Sequence, residues 1–470
     1  MMSSLDFARG WIFTTGPRER PVKVPQDWQT CAVCELTGWV HPSTRITHAM
    51  EDDAAVVFIG RVVDLEADSG DAGVIAQELL GTLRSDGLEA TIRRVSYLGG
   101  RYVALIRWNG EWACVPDAGA MMKAFWGSRD GAHIIASHQP LVADAVSASQ
   151  SPQALELRRR LSAQRRTGTV FWPGALSPYQ GIRPLLANHA LRWTSGESPR
   201  HERFYPWMDL PQMTPAESRE KFTQLFRDHV RLLMASQPVV AVSLTGGDDS
   251  QATLAAALEY WRPGDITWTY YDFRNPTALG QKDLLRANGL AVRLGLVHKV
   301  VPLAAPSSND FQRSYDRSFT STRQNPVLAH AVHEHLSSNI LELHSLVAEV
   351  GTGFYSNNTG AQLSPEGLRD LFQGANDFTG VPGLRQVMED FIDYSNFSEE
   401  SLRDRDFKDM FYWEGRLGTW GSLRVQELTM SHDVALPFNQ RDIIEALQTS
   451  PQEERDARSP LRALAADRLS

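Results

Sequence analysis

The sequence predicts a two-domain α/β protein: an antiparallel β assembly in the first half and a parallel sheet wrapped in helices in the second. Three observations carry that reading. The 470 residues exceed the roughly 250–300 that one hydrophobic core usually serves. The first half holds short apolar runs joined by hairpin signals, with few helical patterns between them. After residue 214, strand-like and helix-like segments alternate, the pattern of a parallel sheet with crossover helices.

In the first half, residues 54–63 (AAVVFIGRVV) and 101–108 (RYVALIRW) are rich in β-branched and aromatic side chains and read as strands, as do 112–115 and 133–136. Asn109-Gly110, between two of these runs, is a preferred sequence for a type I′ hairpin turn. Helical spacing is best at 77–83 and 153–163. Residues 195–215 are Pro-rich and charged and read as a linker, which sets the domains at 1–205 and 206–470.

The second half opens with Thr214 as an N-cap and Pro215 at the first helical position, followed by Phe222, Leu225, Phe226, Val230 and Leu233 at helical spacing. Residues 239–258 (VVAVSLTGGDDSQATLAAAL) then give an apolar strand, a Thr-Gly-Gly-Asp-Asp-Ser turn and an Ala/Leu-rich helix. Strands at 266–271 and 297–303 flank a helix at 282–294 closed by Gly295. Ligands of such sheets bind beyond the carboxyl ends of the strands. Leu244 and Tyr270 fall there, although plain core packing accounts for Tyr270 equally well.

The turn has the chemistry of a phosphate cradle. Gly246 and Gly247 lack a Cβ, so the backbone can approach an anion closely and take positive φ; Thr245 and Ser250 offer hydroxyl donors, and the helix start offers unpaired amides. Asp249 would be repelled by a polyphosphate unless a cation lay between them, which points to a bridging Mg²⁺. With no Gly-Lys-Ser/Thr ending, this is not a Walker loop. A Gly-rich strand-to-helix turn with capping side chains is the alternative.

A formal charge of −9 speaks against a nucleic-acid partner, because binding a phosphate backbone needs a basic surface. Without a long apolar run or a signal-peptide pattern, the expectation is a soluble cytoplasmic protein with no membrane partner. Cys31 and Cys34 form a lone Cys-x-x-Cys without a second ligand pair, and Cys114 is expected to be buried. Arg158, Arg159, Arg160, Arg165 and Arg166 read as one solvated helix face.

The turn Thr245-Gly246-Gly247-Asp248-Asp249-Ser250 resembles the Ser-Gly-Gly-x-Asp-Ser pyrophosphate loop of the asparagine synthetase family and other N-type ATP pyrophosphatases. Residues 100–108, 115–119 (VPDAG), 136–140 (ASHQP) and 181–193 (GIRPLLANHALRW) are similar, in order, to segments of that family's glutaminase domain. Residues 341–355 (LELHSLVAEVGTGFY) resemble its second acidic loop. There the second metal-binding carboxylate falls on Glu349 and the closing tyrosine on Tyr355, and Gly351 joins the ATP site. Leu346, Val347 and Ala348 replace family glycines, and a charged residue at a helix end is the alternative for Glu349. Residues 411–420 (FYWEGRLGTW) fall where the family lines its acceptor pocket, and 436–439 (LPFN) resembles the turn that follows. Glu414 then suits a base for an attacking amine and Arg416 a bidentate holder of carboxylate or phosphate, while an internal ion pair explains both equally well. His298 matches a structural position of the family.

The resemblance implies an Ntn-hydrolase sandwich of the class II glutamine amidotransferase type, followed by an adenine nucleotide α-hydrolase-like (PP-loop) domain. It implies an AMP-forming, ATP- and Mg²⁺-dependent ligase that adenylylates a carboxylate and lets an amine attack it. Two departures qualify this. The chain begins Met1-Met2-Ser3-Ser4, without the cysteine that glutamine hydrolysis needs after the initiator Met, so no glutaminase activity is expected. The amine then comes from an amino-acid or peptide substrate, as in β-lactam synthetases and lasso-peptide macrocyclases; asparagine synthesis from free ammonia and a non-catalytic binding protein are the alternatives. A homodimer and a pathway partner protein stay open. The chain also has no lysine after Lys408 where the family carries one, leaving Arg455, Arg458, Arg462 and Arg468 as candidate cations.

Overall fold

The computed structural model describes residues 4–16, 19–166, 171–304, 309–320 and 326–469. The first half forms two six-stranded antiparallel sheets. One runs Arg183–Pro184, Phe125–Arg129, Ala132–Ala136, Trp11–Thr14, Leu36–Val40, Gln29–Val33; the other runs Arg200–Arg203, His189–Thr194, Glu111–Pro116, Gly99–Trp108, Ala54–Val63, Ile46–Glu51. Period-two geometry explains why the central strands are apolar nearly throughout. Ala55, Val57 and Ile59 point to the layer shared with the first sheet, which also buries Trp11, Phe13 and Trp112. Val56, Phe58 and Val62 point the other way, against Ile75, Leu79, Leu83 and Ile92 of the helix Ala72–Ser96. Asn109 (φ 49°) and Gly110 (φ 79°) supply the left-handed pair that a type I′ turn requires.

Several elements depart from expectation. The helix expected at 77–83 extends over Ala72–Ser96, interrupted by Gly87 at φ 82°. The expected linker contains the edge strand Arg200–Arg203, which pairs with His189–Thr194. Arg158 is buried, its guanidinium 4.7 Å from the Trp172 ring centroid; Arg159 and Arg160 pair with Glu156 on the outer face, and Arg165 and Arg166 lie past the helix end at Gln164. Cys114 is buried, and burial pushes its thiol up. Cys34 is exposed, and no cluster of three or more metal-ligating side chains occurs among the described residues.

The second half is built on a five-stranded parallel sheet ordered His298–Pro302, Ile266–Tyr271, Val240–Ser243, Leu341–Leu343, Asp433–Ala435. Successive strands first step to one side of Val240–Ser243 and then to the other. That reversal places a crevice between Val240–Ser243 and Leu341–Leu343, where ligands of open α/β sheets bind. The helix Pro215–Ala235 starts on a capping box in which Thr214 and Glu217 satisfy each other's backbone amides. It packs with Asp248–Leu258 and the C-terminal helix Ser459–Leu469. Residues Tyr412–Gly421 form a π-helix.

The two halves share a core in which Val63, Ala118 and Met121 join Phe226, Val242 and Trp413. Polar bonds reinforce the seam. The Trp413 indole donates to the Ala118 carbonyl at 2.7 Å, and Arg61 lies 2.8 Å and Arg101 3.6 Å from Asp433. Among the described residues, no helix is long and apolar enough to cross a membrane.

Candidate functional site

A cavity of about 240 Å³ opens at the crevice of the parallel sheet. Its walls come from the end of the first strand and its turn (Ser243 to Thr245, Gly247, Asp249, Ser250), from Trp268 to Tyr270, and from His344 to Leu346 with Glu349. Arg424 and Leu428, from the helix Ser422–Leu428, close one side. The sequence therefore has eight of its candidates for one ligand, namely Leu244, Thr245, Gly247, Asp249, Ser250, Tyr270, Glu349 and the adjoining Gly246, in or beside one hollow.

The turn is braced from within. The Thr245 amide donates to Ser250 Oγ at 3.1 Å, the Gly247 amide donates to Thr245 Oγ1 at 3.1 Å, and Ser250 Oγ donates to the Gly247 carbonyl at 3.0 Å. The helix starts at Asp248, and its first i−4 bond is donated by Gln251 to Gly247 at 3.2 Å. The amides of Asp248, Asp249 and Ser250 thus precede the helical ladder, the usual arrangement for receiving an anion. Neither glycine has positive φ, which corrects the expectation. At Gly246 a Cβ would lie 2.7 Å from Arg286 Cδ and 2.9 Å from Asp283 Oδ1, so these two side chains would have to shift to admit one. Gly247 has only Thr245 Oγ1 near such a Cβ, at 3.3 Å, and faces the cavity.

Asp249 and Glu349 reach the hollow from the first turns of two different helices, Asp248–Leu258 and Ala348–Thr352. Arg458 Nη1 donates to both oxygens of Asp249, at 2.6 and 2.7 Å. Burial pushes the Asp249 carboxyl above its usual range, against the pull of Arg458. Burial and the neighbouring Asp249 push Glu349 to about 7, and its Oε2 is buried with no hydrogen-bond partner among the described residues. Two mutually repelling carboxylates, one with an unsatisfied oxygen, fit a divalent cation that completes its shell with phosphate and water. The loop between them keeps a glycine-like shape without glycine: Val347 is buried at φ 86°, a conformation a β-branched residue rarely adopts.

The remaining candidates lie elsewhere. Glu414 is fully buried and accepts from Arg203 Nη1 and Nη2 at 2.7 Å each and from Asn188 Nδ2 at 2.9 Å, so the ion-pair alternative describes it. Arg416 sits among aromatic rings, 4.8 Å from the Phe354 centroid and 5.4 Å from those of Phe171 and Trp420, and its charge also acts on Tyr355. Its charge acts on Glu349 from behind the cavity wall. Burial pushes the Tyr355 phenol up. Gly351 packs on Leu447, which a Cβ would approach to 2.5 Å, and its carbonyl accepts from Arg455 Nε at 2.7 Å. His298 bonds Thr267 Oγ1 at 2.8 Å, away from the cavity.

The sequence reading missed Glu342, His344 and Arg424. Glu342 is fully buried on the strand Leu341–Leu343, with one oxygen 2.7 Å from His344 Nδ1 and the other 2.7 Å from His432 Nε2. Burial alone would raise this carboxyl, but the two imidazoles hold it down at about 2. An acid inside the apolar run LELH was the available signal, since a charge is placed in a central strand only with partners.

No protein-family model and no curated protein matches the chain. Among solved structures, glutamine phosphoribosylpyrophosphate amidotransferase from B. subtilis, complexed with ADP and GMP, aligns over 74% of this chain and 72% of its own at 12% identity and a TM-score of 0.26. A second, titled the allosteric regulatory enzyme of purine biosynthesis, aligns over 73% and 70% at 12% identity and a TM-score of 0.26. Likeness at that level carries no argument about function.

Proposed function

We propose that the chain is an ATP-dependent ligase that activates a substrate carboxylate as its adenylate, releasing pyrophosphate, and joins it to an amine with release of AMP. The observation that carries the reading is the meeting of Asp249 and Glu349, from the starts of separate helices, in a cavity at the crevice of a parallel sheet beside a Thr-Gly-Gly-Asp-Asp-Ser turn. A cavity of about 240 Å³ falls below the usual range of about 300–1,000 Å³ for ligand pockets. It suits the base and sugar, between Leu244 and Trp268 to Tyr270, while the phosphates lie across the amides that open the helix at Asp248.

Asp249 and Glu349 would hold Mg²⁺, which would neutralise charge on the departing pyrophosphate. Arg458 lies against Asp249 and supplies the positive charge for which no lysine follows Lys408. Glu414, locked to Arg203, is not offered as a base. The substrate class is an amino acid or peptide, in natural-product or peptide biosynthesis of the β-lactam synthetase or macrocyclase kind. In this reading the amine is carried by an amino-acid or peptide substrate rather than taken from glutamine.

Isotope exchange between pyrophosphate and ATP, assayed with amino acids and peptides as acyl donors, tests this. Exchange is expected with a carboxylate donor and should vanish in Asp249→Ala. Exchange that persists in that variant would overturn the site.

A further inference from the structure

The reading above leaves the reaction without a proton acceptor, because Glu414 is committed to Arg203 and Asn188. We infer that His344, oriented by Glu342, is the catalytic base of the site, taking the proton from the attacking amine. This rests on the ligase reading.

His344 follows the strand Leu341–Leu343 at its carboxyl end and lines the cavity with Ser243, Asp249 and Glu349. Its Nδ1 lies 2.7 Å from Glu342 Oε1 and 3.2 Å from Ser243 Oγ. A carboxylate can only accept, so Nδ1 carries the proton and donates it to Glu342. The neutral ring then presents a bare Nε2, for which no bond to protein is found among the described residues. Base and carboxylate thus stand as they do wherever an acid fixes the tautomer of a catalytic imidazole.

Glu342 is held for this task. Its second oxygen is fixed by His432 Nε2 at 2.7 Å, and His432 Nδ1 is itself 3.1 Å from Ser431 Oγ. Both Glu342 and His432 are fully buried, so the carboxylate cannot swing away. The charged groups around His344 are Glu342 beneath it, Asp249, Glu349 and Arg424 in the cavity wall, Arg458 on Asp249, and His432 beyond Glu342.

The step balances without further reagents. The amine lone pair forms the C–N bond at the acyl carbon while the bond from that carbon to the AMP oxygen breaks and its electron pair leaves with AMP. The nitrogen's proton passes to His344 Nε2 and returns to solvent after product release. Glu342 stays ionised throughout and is a positioning residue.

Two readouts test the inference. In protein labelled with ¹⁵N-histidine, with His344 assigned by its loss in His344→Gln, the neutral ring is expected as the Nδ1–H tautomer. Glu342→Gln is expected to shift it toward Nε2–H. With ATP–Mg²⁺ and each of the twenty amino acids as probes, His344→Gln is expected to lower amide formation about 10²–10⁴-fold, in kcat rather than in KM for ATP. Hydroxylamine, a nucleophile already unprotonated at neutral pH, is expected to restore turnover. An Nε2–H tautomer in the wild type, or wild-type turnover in His344→Gln, overturns the inference. Failure of the wild type to bind ATP would overturn the ligase reading, whereas the tautomer result reports on the dyad by itself.

Discussion

Arg458 shows how much of this site is decided by single side chains. It stands at φ 53° just before the helix Ser459–Leu469 and spends its guanidinium on both oxygens of Asp249. Arg458→Ala should therefore leave two half-buried, mutually repelling carboxylates without their cation and reduce pyrophosphate exchange by about 10²–10³-fold, the usual cost of losing one preorganised charge at a reacting centre. Unchanged exchange would assign Arg458 to structure alone. Glu414 makes the opposite case. Glu414→Gln leaves Arg203 buried and unpaired, so it should lower stability by about 3–5 kcal/mol in denaturant unfolding. Reduced activity at full stability would return it to the chemistry. The turn was legible because phosphate chemistry restricts the residue types at each position. The Glu342 and His344 pair was not, because its meaning depends on His432, which lies far along the chain, just before the strand Asp433–Ala435.

At the scale of elements, the strands declared themselves most clearly where both faces are buried. Residues 54–63 are apolar nearly throughout because two different layers claim alternate side chains. Arg200–Arg203 carried no such signal, since all four residues are polar and only pairing with His189–Thr194 makes them a strand. The π-helix Tyr412–Gly421 was likewise hidden, because its register follows from packing around Trp413 and Arg416 rather than from spacing. The strand Asp433–Ala435 joins the two halves through Asp433, whose carboxyl is held well below its usual range by Arg61 and Arg101 against the cost of burial. Its folded value lies below its unfolded one, so this contribution is present above the ordinary carboxyl range and lost as pH falls below it. Asp433→Asn should cost about 3 kcal/mol at neutral pH, and the cost should start to shrink only as pH falls below the ordinary carboxyl range of about 4 towards the depressed folded value. A cost that falls already above that range, or is absent at neutral pH, measured by denaturant unfolding, would contradict the assignment.

On the scale of the molecule, the sequence foretold two architectures, and both are present, but not two separate cores. Val63, Ala118 and Met121 pack into the cluster that holds Val242 and Trp413, so the halves support each other and the wall of the cavity. Function at this scale reduces to whether the hollow at the crevice of the parallel sheet receives ATP. Gly247→Val suits the question, since the residue sits at φ −84° with only Thr245 Oγ1 near a Cβ, so the fold tolerates a side chain that fills the phosphate position. Calorimetric titration with ATP–Mg²⁺ is the deciding measurement. The wild type should bind one equivalent and Gly247→Val, folded by its unfolding curve, should bind none; absence of binding to the wild type, or equal binding to both, would contradict the account.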